Sequence, residues 1–428
     1  TLRNVDAKDF ITQNALPAGP LSNDPVTWTG TAEDERYVSG GGDDTLDGGR
    51  GDDEILAGAG ADTIEGGRGN DVIYGGEGND VISDEDLTST TGQKLYGEGG
   101  NDTITGGGQI YGGDGNDIIK FTETGDSYYQ GRVEGGDGDD TITIDGGTVG
   151  QIYGNDGDDY LLASSAVYQQ IHMGEGDDSL IFDGDWTGWE RDRYLNGGDD
   201  TANISDWTGG LDQNIQFYGG SGDDTYTGRD VDKTNNTYDY FYGEDGQDTI
   251  TGGDADEYFD GGADEDTISG GYGDDILLGG SDSDTITGGD GADTITGGED
   301  ADTLTGGAGQ DIFVYNSRND EGDVVTDFTP GEGGDLLDFR PLFSSLGYTG
   351  ADPFGEGWLE LEQDGDDLNI NLDRNGGGDN YSDTLVTLRN VDAKDFITQN
   401  ALPAGPLSNE IDDGDPNNAV PSITDIDD

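Results

Sequence analysis

The chain has 428 residues, of which 96 are Asp or Glu and only 17 Lys or Arg, giving a formal net charge of −79 at pH 7. Like charge at that density opposes compaction unless cations neutralise it, and it excludes nucleic acid and anionic membrane surfaces as partners. The absence of Cys among residues that include 81 Gly removes thiol and disulfide chemistry. No apolar run is long enough to span a membrane, so no membrane insertion is expected, and no signal peptide is visible. The chain opens at Thr1 without Met, which we read as a mature product or an excerpt of something longer.

Residues 1–23, TLRNVDAKDFITQNALPAGPLSN, recur letter for letter at 387–409, a displacement of 386 residues. Identity over that length indicates duplication of a whole module, so residues 1–23 are read as the tail of a preceding copy. The natural unit then runs from Asp24 to Asn409. After an opening segment at 24–38, a nine-residue word repeats without slippage over 39–83, in copies beginning at Ser39, Gly48, Ala57, Gly66 and Gly75. A fixed period of this kind is an architecture. The sixth place is Asp44, Asp53, Asp62, Asp71 and Asp80, and the eighth is Leu46, Ile55, Ile64, Ile73 and Ile82. One place goes to metal and the other to core.

The copy GGRGDDEIL at Gly48 shows the chemistry. Its glycines permit positive φ, so the backbone curls and turns its carbonyl oxygens toward one point, to which the Asp adds a carboxylate. Calcium takes six to eight hard oxygen ligands in flexible geometry, which such turns can supply when stacked, whereas magnesium demands a tighter octahedron. The last three residues of each word are a short strand with one inward apolar side chain. Two words therefore make one turn of a coil.

Over 84–242 the words persist but the spacing stretches. They begin at Gly75, Gly97, Gly112, Gly135, Gly154, Met173, Leu195, Gly219 and Gly243, in steps of 22, 15, 23, 19, 19, 22, 24 and 24 residues. The mean of 21 is one full turn plus about three residues, so one flank of the coil keeps its loops and the other exchanges them for longer ones. The retained ligands are Asp102, Asp117, Asp140, Asp159, Asp178, Asp200, Asp224 and Asp248. Short alternating stretches before these loops, such as Gln109–Tyr111, Gln151–Tyr153, Ile215–Tyr218 and Tyr240–Tyr242, read as strands of one continuous parallel sheet. The coil then comprises about 14 turns, or roughly 67 Å at one strand spacing per turn. Trp186, Trp189, Tyr194, Trp207, Tyr128, Tyr129, Tyr168 and Tyr238 fall on the substituted flank. They read either as a docking face for glycan or another copy, or as a seal where calcium no longer binds, and we favour the seal.

From Gly243 to Gly306 eight further regular words cover 243–314 and add Asp266, Asp275, Asp284, Asp293, Asp302 and Asp311 as ligands. The word matches GGxGxDxUx, and from Ser39 to Val314 the chain resembles the RTX family of secreted bacterial repeat proteins. The resemblance implies an all-β parallel β-roll (β-solenoid) with calcium in the turns, and export by the type I route of an unfolded chain that folds on meeting calcium outside the cell. With about one Ca2+ in each of roughly 15 to 19 loops, bound charge on the order of +30 to +40 would cancel about half the repulsion. The calcium-free chain is expected to be expanded.

After Val314 the beat stops. Residues 315–409 (WLELEQ, DLNINLD, DTLVTLRNV among them) resemble a type I secretion target domain, which implies a small antiparallel β cap over the open end of the roll. Asp392 reads as the N-cap of a short C-terminal helix, with Asp395 favouring its dipole. Such a domain normally ends its protein, yet its tail also appears at 1–23, so internal copies read as structural joints. Residues 410–428 are an acidic linker.

Catalysis finds little support. The one His, His172, sits in a strand, no nucleophile motif surrounds a Ser, and HExxH, phosphate loops and Cys are absent. The abundant carboxylate pairs are already explained by the repeat. We therefore expect no enzyme but a calcium-built structural module that partners with copies of itself in a filament, surface layer or matrix. Residues 1–23 would then pack near Trp28, joining successive copies. The alternatives are an adhesin stalk with a glycan or cell-surface ligand, and the secretion tail of an extracellular enzyme. Ice binding would want Thr and Asn in the outer loop places, which instead hold Arg50, Ala59, Arg68 and Glu77.

Overall fold

The computed structural model describes residues 23–84, 92–122, 131–167, 170–183, 192–206, 215–229, 238–350, 352–373, 381–396 and 400–402. The duplicated segment 1–22, the acidic linker 410–428, and Trp186, Trp189, Trp207, Tyr128, Tyr129 and Tyr168 lie outside the described residues. The chain forms a parallel β-solenoid of about 13 turns, organised in two compact units. The described part of the first comprises 23–229 and 241–245, and that of the second 238–240 and 246–402.

In the first unit each turn contributes one strand to each of two parallel sheets. Sheet 1 stacks Thr45–Asp47, Thr63–Glu65, Val81–Ser83 and their successors, and sheet 2 stacks Arg36–Val38, Glu54–Ala59, Val72–Glu77 and theirs. Because side chains alternate across a strand, the eighth place of every word points inward. Leu46, Ile64, Ile82, Ile104, Ile119 and Ile142 are paired in register down sheet 1, and all are buried. Ile55, Ile73, Leu95, Ile110, Val133 and Ile152 do the same down sheet 2. Each such side chain contributes roughly 1.5–3 kcal/mol on burial. At the first turn Trp28 and Tyr37 stack at 4.5 Å in place of aliphatic side chains.

The stretched turns keep this register, with Ile104 pairing Ile119 fifteen residues on and Ala202 pairing Tyr226 twenty-four on. Of their strands, Gln109–Asp114 and Ile215–Ser221 lie in sheet 2 with the shorter ones, while Thr141–Asp156 runs from sheet 1 at Thr141–Ile144 into sheet 2 at Gln151–Asp156. Tyr194 stands on the outer face of sheet 2 and not on a flank, in a row of stacked rings with Tyr153, His172, Tyr218 and Tyr242 spaced 4.8–5.3 Å apart. Tyr238, in the second unit, lies 6.2 Å from the ring of Tyr240.

In the second unit Ile250, Ile268, Ile286 and Leu304 form the inner column of sheet 1, and Phe259, Leu277, Ile295 and Phe313 that of sheet 2. Parallel pairing continues beyond Val314. Asp323–Val325 and Leu336–Asp338 add another turn, on which Val386–Leu388 and Ala401–Leu402 then pair. Leu359–Asp364, Asp367–Asp373 and Tyr381–Leu388 form the antiparallel cap. Its helix lies at Arg340–Ser345, with Leu342 and Phe343 buried and Phe343 against Tyr348 and Trp358. At Asp392, expected to start a helix, the described residues form a turn in which Lys394 N–H donates to Oδ1 and the N–H groups of Asp395 and Phe396 to the backbone oxygen, and 397–399 lie outside the described residues. The chain is needed downstream as a strand, with Asn400 anchored on Gly331 and Asp335.

Ile286 is fully buried between Ile268 and Leu304. Replacing it with Ala is expected to lower the stability of the second unit by roughly 2–5 kcal/mol in calcium-saturated urea titrations. An unchanged midpoint would show that the column does not carry the fold.

Candidate metal centre

Every aspartate assigned as a ligand from the repeat is only 0–2 % exposed. Each sits at the end of a loop, immediately before a strand, where the register stacks it on its counterparts one turn away. One oxygen is then claimed by the backbone. Asp44 N–H donates to Asp62 Oδ1, Asp62 to Asp80, Asp80 to Asp102 and Asp102 to Asp117, at 2.6–2.8 Å. The same ladder continues through Asp140, Asp159, Asp178, Asp200 and Asp224. These loops all lead from sheet 2 into sheet 1 and form flank 1. In the second unit Asp248, Asp266, Asp284 and Asp302 repeat the pattern. Flank 2, leading from sheet 1 into sheet 2, carries Asp53 and Asp71 in the first unit, and Asp275, Asp293 and Asp311 in the second.

The other oxygen has a different fate. At Asp62, Asp102, Asp140, Asp178, Asp200 and Asp284, Oδ2 is buried without a protein hydrogen-bond partner. Where the word opens with glycine, as at Asp102, Asp140 and Asp284, it faces that glycine and the carbonyl of the equivalent residue one turn on. A Cβ placed on Gly48 would lie 2.7 Å from Asp53 Oδ2 and 2.5 Å from the Gly66 carbonyl oxygen, so the glycine leaves this space open, whereas Ala57, Met173 and Leu195 hold the same place in other words. Gly49 and Gly51, at φ +91° and +116°, turn the loop around it. Among the described residues no three carboxylate or imidazole groups gather to hold an ion by themselves. The donor set is one carboxylate oxygen with backbone carbonyls from adjacent turns: hard, all-oxygen and irregular. That set fits calcium, which there would neutralise the carboxylates and tie one turn to the next. Asp44 departs from the pattern, because the Ser39 hydroxyl donates to its Oδ2.

Sequence reasoning passed over several residues in the same place. Glu35, Glu257, Asp323 and Asp335 flank the ladders and are buried, with Glu35 and Glu257 donating their N–H groups to Asp53 and Asp275, and Asp323 and Asp335 accepting from Asp302 and Asp311. Glu257 stood at the sixth place of an in-register word and was legible there. A second, exposed ladder runs through the fifth place, where Asn70 N–H donates to Asp52 Oδ1 and Asp177 N–H to Asp158 Oδ1.

Burial is the main reason these carboxyl groups titrate high. It pushes Asp178, Asp200 and Asp284 up to about 8, and Asp117, Asp140, Asp159, Asp266 and Asp293 to about 7. The N–H donated by the preceding Asp pulls each down, and neighbouring carboxylates add to the rise.

The fold and these loops define a class, the calcium-binding parallel β-roll. The family profile of the RTX calcium-binding nonapeptide repeat (4 copies) matches residues 29–64, 56–83, 151–165, 216–231, 238–268, 251–286, 278–313 and 287–320. Over those residues the chain carries RTX calcium-binding nonapeptide repeats. No curated protein sequence matches it. Among solved structures, a subunit (AlgE6R2) of the mannuronan C5-epimerase from Azotobacter vinelandii is 24% identical, covering 37% of this chain and 94% of its own, with a TM-score of 0.24. A Ca2+-dependent β-helical antifreeze protein from an Antarctic bacterium is 16% identical, covering 75% and 88%, with a TM-score of 0.33. The extracellular lipase LipA from Serratia marcescens is 17% identical, covering 76% and 45%, with a TM-score of 0.16.

Two outcomes follow from the geometry. Folded-state values raised from 3.8 mean that the metal-free roll binds protons the unfolded chain does not, so its stability is fullest below about pH 4 and falls as pH rises through about 8. In chelator, circular dichroism should show β signal growing as pH is lowered from 8 toward 5; a signal independent of pH would refute this. Replacing Asp275, Asp284 and Asp293 with Ala should raise the calcium midpoint for hydrogen-exchange protection of the second unit severalfold and leave 39–83 unchanged. A uniform shift across both units would contradict local binding.

Proposed function

We propose that the chain is an extracellular structural repeat protein: a tandem β-roll module, exported by the type I route, that folds on calcium outside the cell and assembles with copies of itself into a filament, surface layer or matrix. The observation that carries this reading is the ladder of buried carboxylates whose second oxygen, at words such as those of Asp102, Asp140 and Asp159, faces a backbone carbonyl of the next turn. Such a ladder is unfavourable at neutral pH without a divalent cation, so calcium supply decides where the chain can fold. Extracellular modules of this chemistry commonly bind calcium in the 10⁻⁴–10⁻³ M range, so the ion would be scarce before export and sufficient after it.

The duplicated 23 residues support the tandem arrangement. Their second copy supplies Thr387 and Leu388 to sheet 1, against Val324 and Val325, and Ala401 and Leu402 to sheet 2, against Leu337 and Asp338. Identical residues at 1–16 would close a preceding roll in the same way and place two rolls in succession. A non-catalytic role is supported by His172, whose ring is stacked between Tyr153 and Tyr194 instead of facing a nucleophile. No helix among the described residues is long and apolar enough to cross a membrane.

Electron microscopy of the purified chain at millimolar calcium, and again in excess chelator, tests the proposal. Ordered fibres or sheets that dissolve in chelator are expected, and deletion of residues 1–23 should weaken them. Isolated particles at every calcium concentration would instead favour a stalk or an enzyme's secretion tail.

A further inference from the structure

On flank 2 of the first unit the regular words stop after Asp71, and the residues that follow do not leave the ion space as the repeat does. Asp47, Glu65 and Ser83 are in register down sheet 1, so Gly48, Gly66 and Asp84 occupy one column directly after them. Over Gly48 the two nearest oxygens are the Gly66 carbonyl and Asp53 Oδ2. Over Gly66 they are carboxylates, since a Cβ there would lie 2.8 Å from Asp84 Oδ2 and 2.8 Å from Asp71 Oδ2. Asp84 is 2 % exposed, and its N–H is held by the Thr105 carbonyl at 3.0 Å. A side-chain carboxylate thus stands where the next turn's glycine carbonyl would otherwise be.

A second feature lies beside Asp84. Lys94 pairs with Val72, so Gln93 succeeds Asp71 in the column of ligand positions. Gln93 is 1 % exposed, and neither its side-chain oxygen nor its nitrogen has a hydrogen-bond partner. Its amide borders Asp84: Gln93 Nε2 and Asp84 Cβ lie 3.3 and 3.7 Å from the point a Cβ on Gly106 would occupy. Burying a primary amide is unfavourable when no partner replaces the water it loses, unless something not made of protein satisfies it. An amide oxygen is a good ligand for a hard cation.

We propose that Asp84 and Gln93 complete the last repeat loop of flank 2, that of Asp71, as a closing cation site that takes calcium with two carboxylates and an amide oxygen. The reading of the repeat loops as calcium sites underlies it. A repeat loop at the end of an array loses the carbonyls of the missing next word, and a second carboxylate replaces them while matching the ion's two charges. Because affinity rises with ligand charge, this site fills at lower calcium than the loops beside it and pins the turn at which flank 2 gives up its words.

The test is the location of lanthanide or calcium in crystals or cryo-EM maps of the full chain at limiting and saturating ion. Density between Asp71 and Asp84 is expected at the limiting concentration, absent in Asp84→Asn while density beside Asp53 remains. Ions in the repeat loops with none at Asp84 under saturation would overturn this site alone, and no ions anywhere would overturn the repeat reading as well. Hydrogen exchange of segment 66–84 supplies an independent readout in the intact chain. Its calcium midpoint should rise about tenfold in Asp84→Asn and clearly in Gln93→Leu, which keeps the volume, with 270–300 unmoved. Midpoints equal to the wild type in both variants would overturn the proposal.

Discussion

An aspartate carboxylate buried between two turns, one oxygen held by a backbone N–H and the other facing glycine carbonyls, is the constraint on which the rest of the structure depends. Successive carboxylates of a ladder repeat at the spacing of strands in a sheet, about 4.8 Å. Two like charges at that distance repel by about 3 kcal/mol at an effective dielectric constant near 20. A domain's whole stability is only about 5–15 kcal/mol, so a few uncompensated neighbours exceed it. The aliphatic columns from Leu46 and Ile55 onward cannot outweigh this by themselves. Gly48, Gly97 and Gly279 leave room beside the carboxylate, and a Cβ there would meet both oxygens.

Where flank 2 lacks its aspartates, other ladders bind the turns together. Gln93 and Gly108 occupy the acidic column there, and the outer face of sheet 2 carries stacked rings instead. Tyr74, Tyr96 and Tyr111 stack at 4.8 Å, and Tyr153, His172, Tyr194, Tyr218 and Tyr242 form a second row. Between the rows Arg132 lies 4.6 Å over the Tyr153 ring and donates to Gln151, whose amide donates to Gln170. In-register aromatic and amide rows each add a modest increment per pair, and they carry no charge to neutralise. The first unit therefore joins a flank of buried carboxylates to a face zipped mainly by aromatic and amide side chains.

Much of this was legible in the sequence because the period is rigid. The eighth place had to be core and the sixth buried once two words made a turn, and Ile104, Ile119 and Ile142 keep that rule across steps of 15 and 23 residues. What the text did not reveal follows from three-dimensional neighbours. Ser39 looks like a conservative opening of the first word, yet its hydroxyl occupies the very oxygen assigned to metal in Asp44. Asp84 and Gln93 match no word and acquire meaning only when stacked on Gly66 and Asp71. Asp392 carries a sound helix-start signal, and the turn it opens is followed by Ala401 and Leu402, which the roll's last turn takes as a strand.

The central claim is that cations, and not the apolar columns, decide whether the roll exists at neutral pH. Small-angle X-ray scattering of the intact chain at pH 7.5 during a calcium titration tests it most directly. The account predicts an expanded chain in chelator that contracts cooperatively to a compact particle as calcium is added, with no comparable contraction in magnesium. A particle already compact in chelator, with dimensions unchanged by calcium, would contradict it.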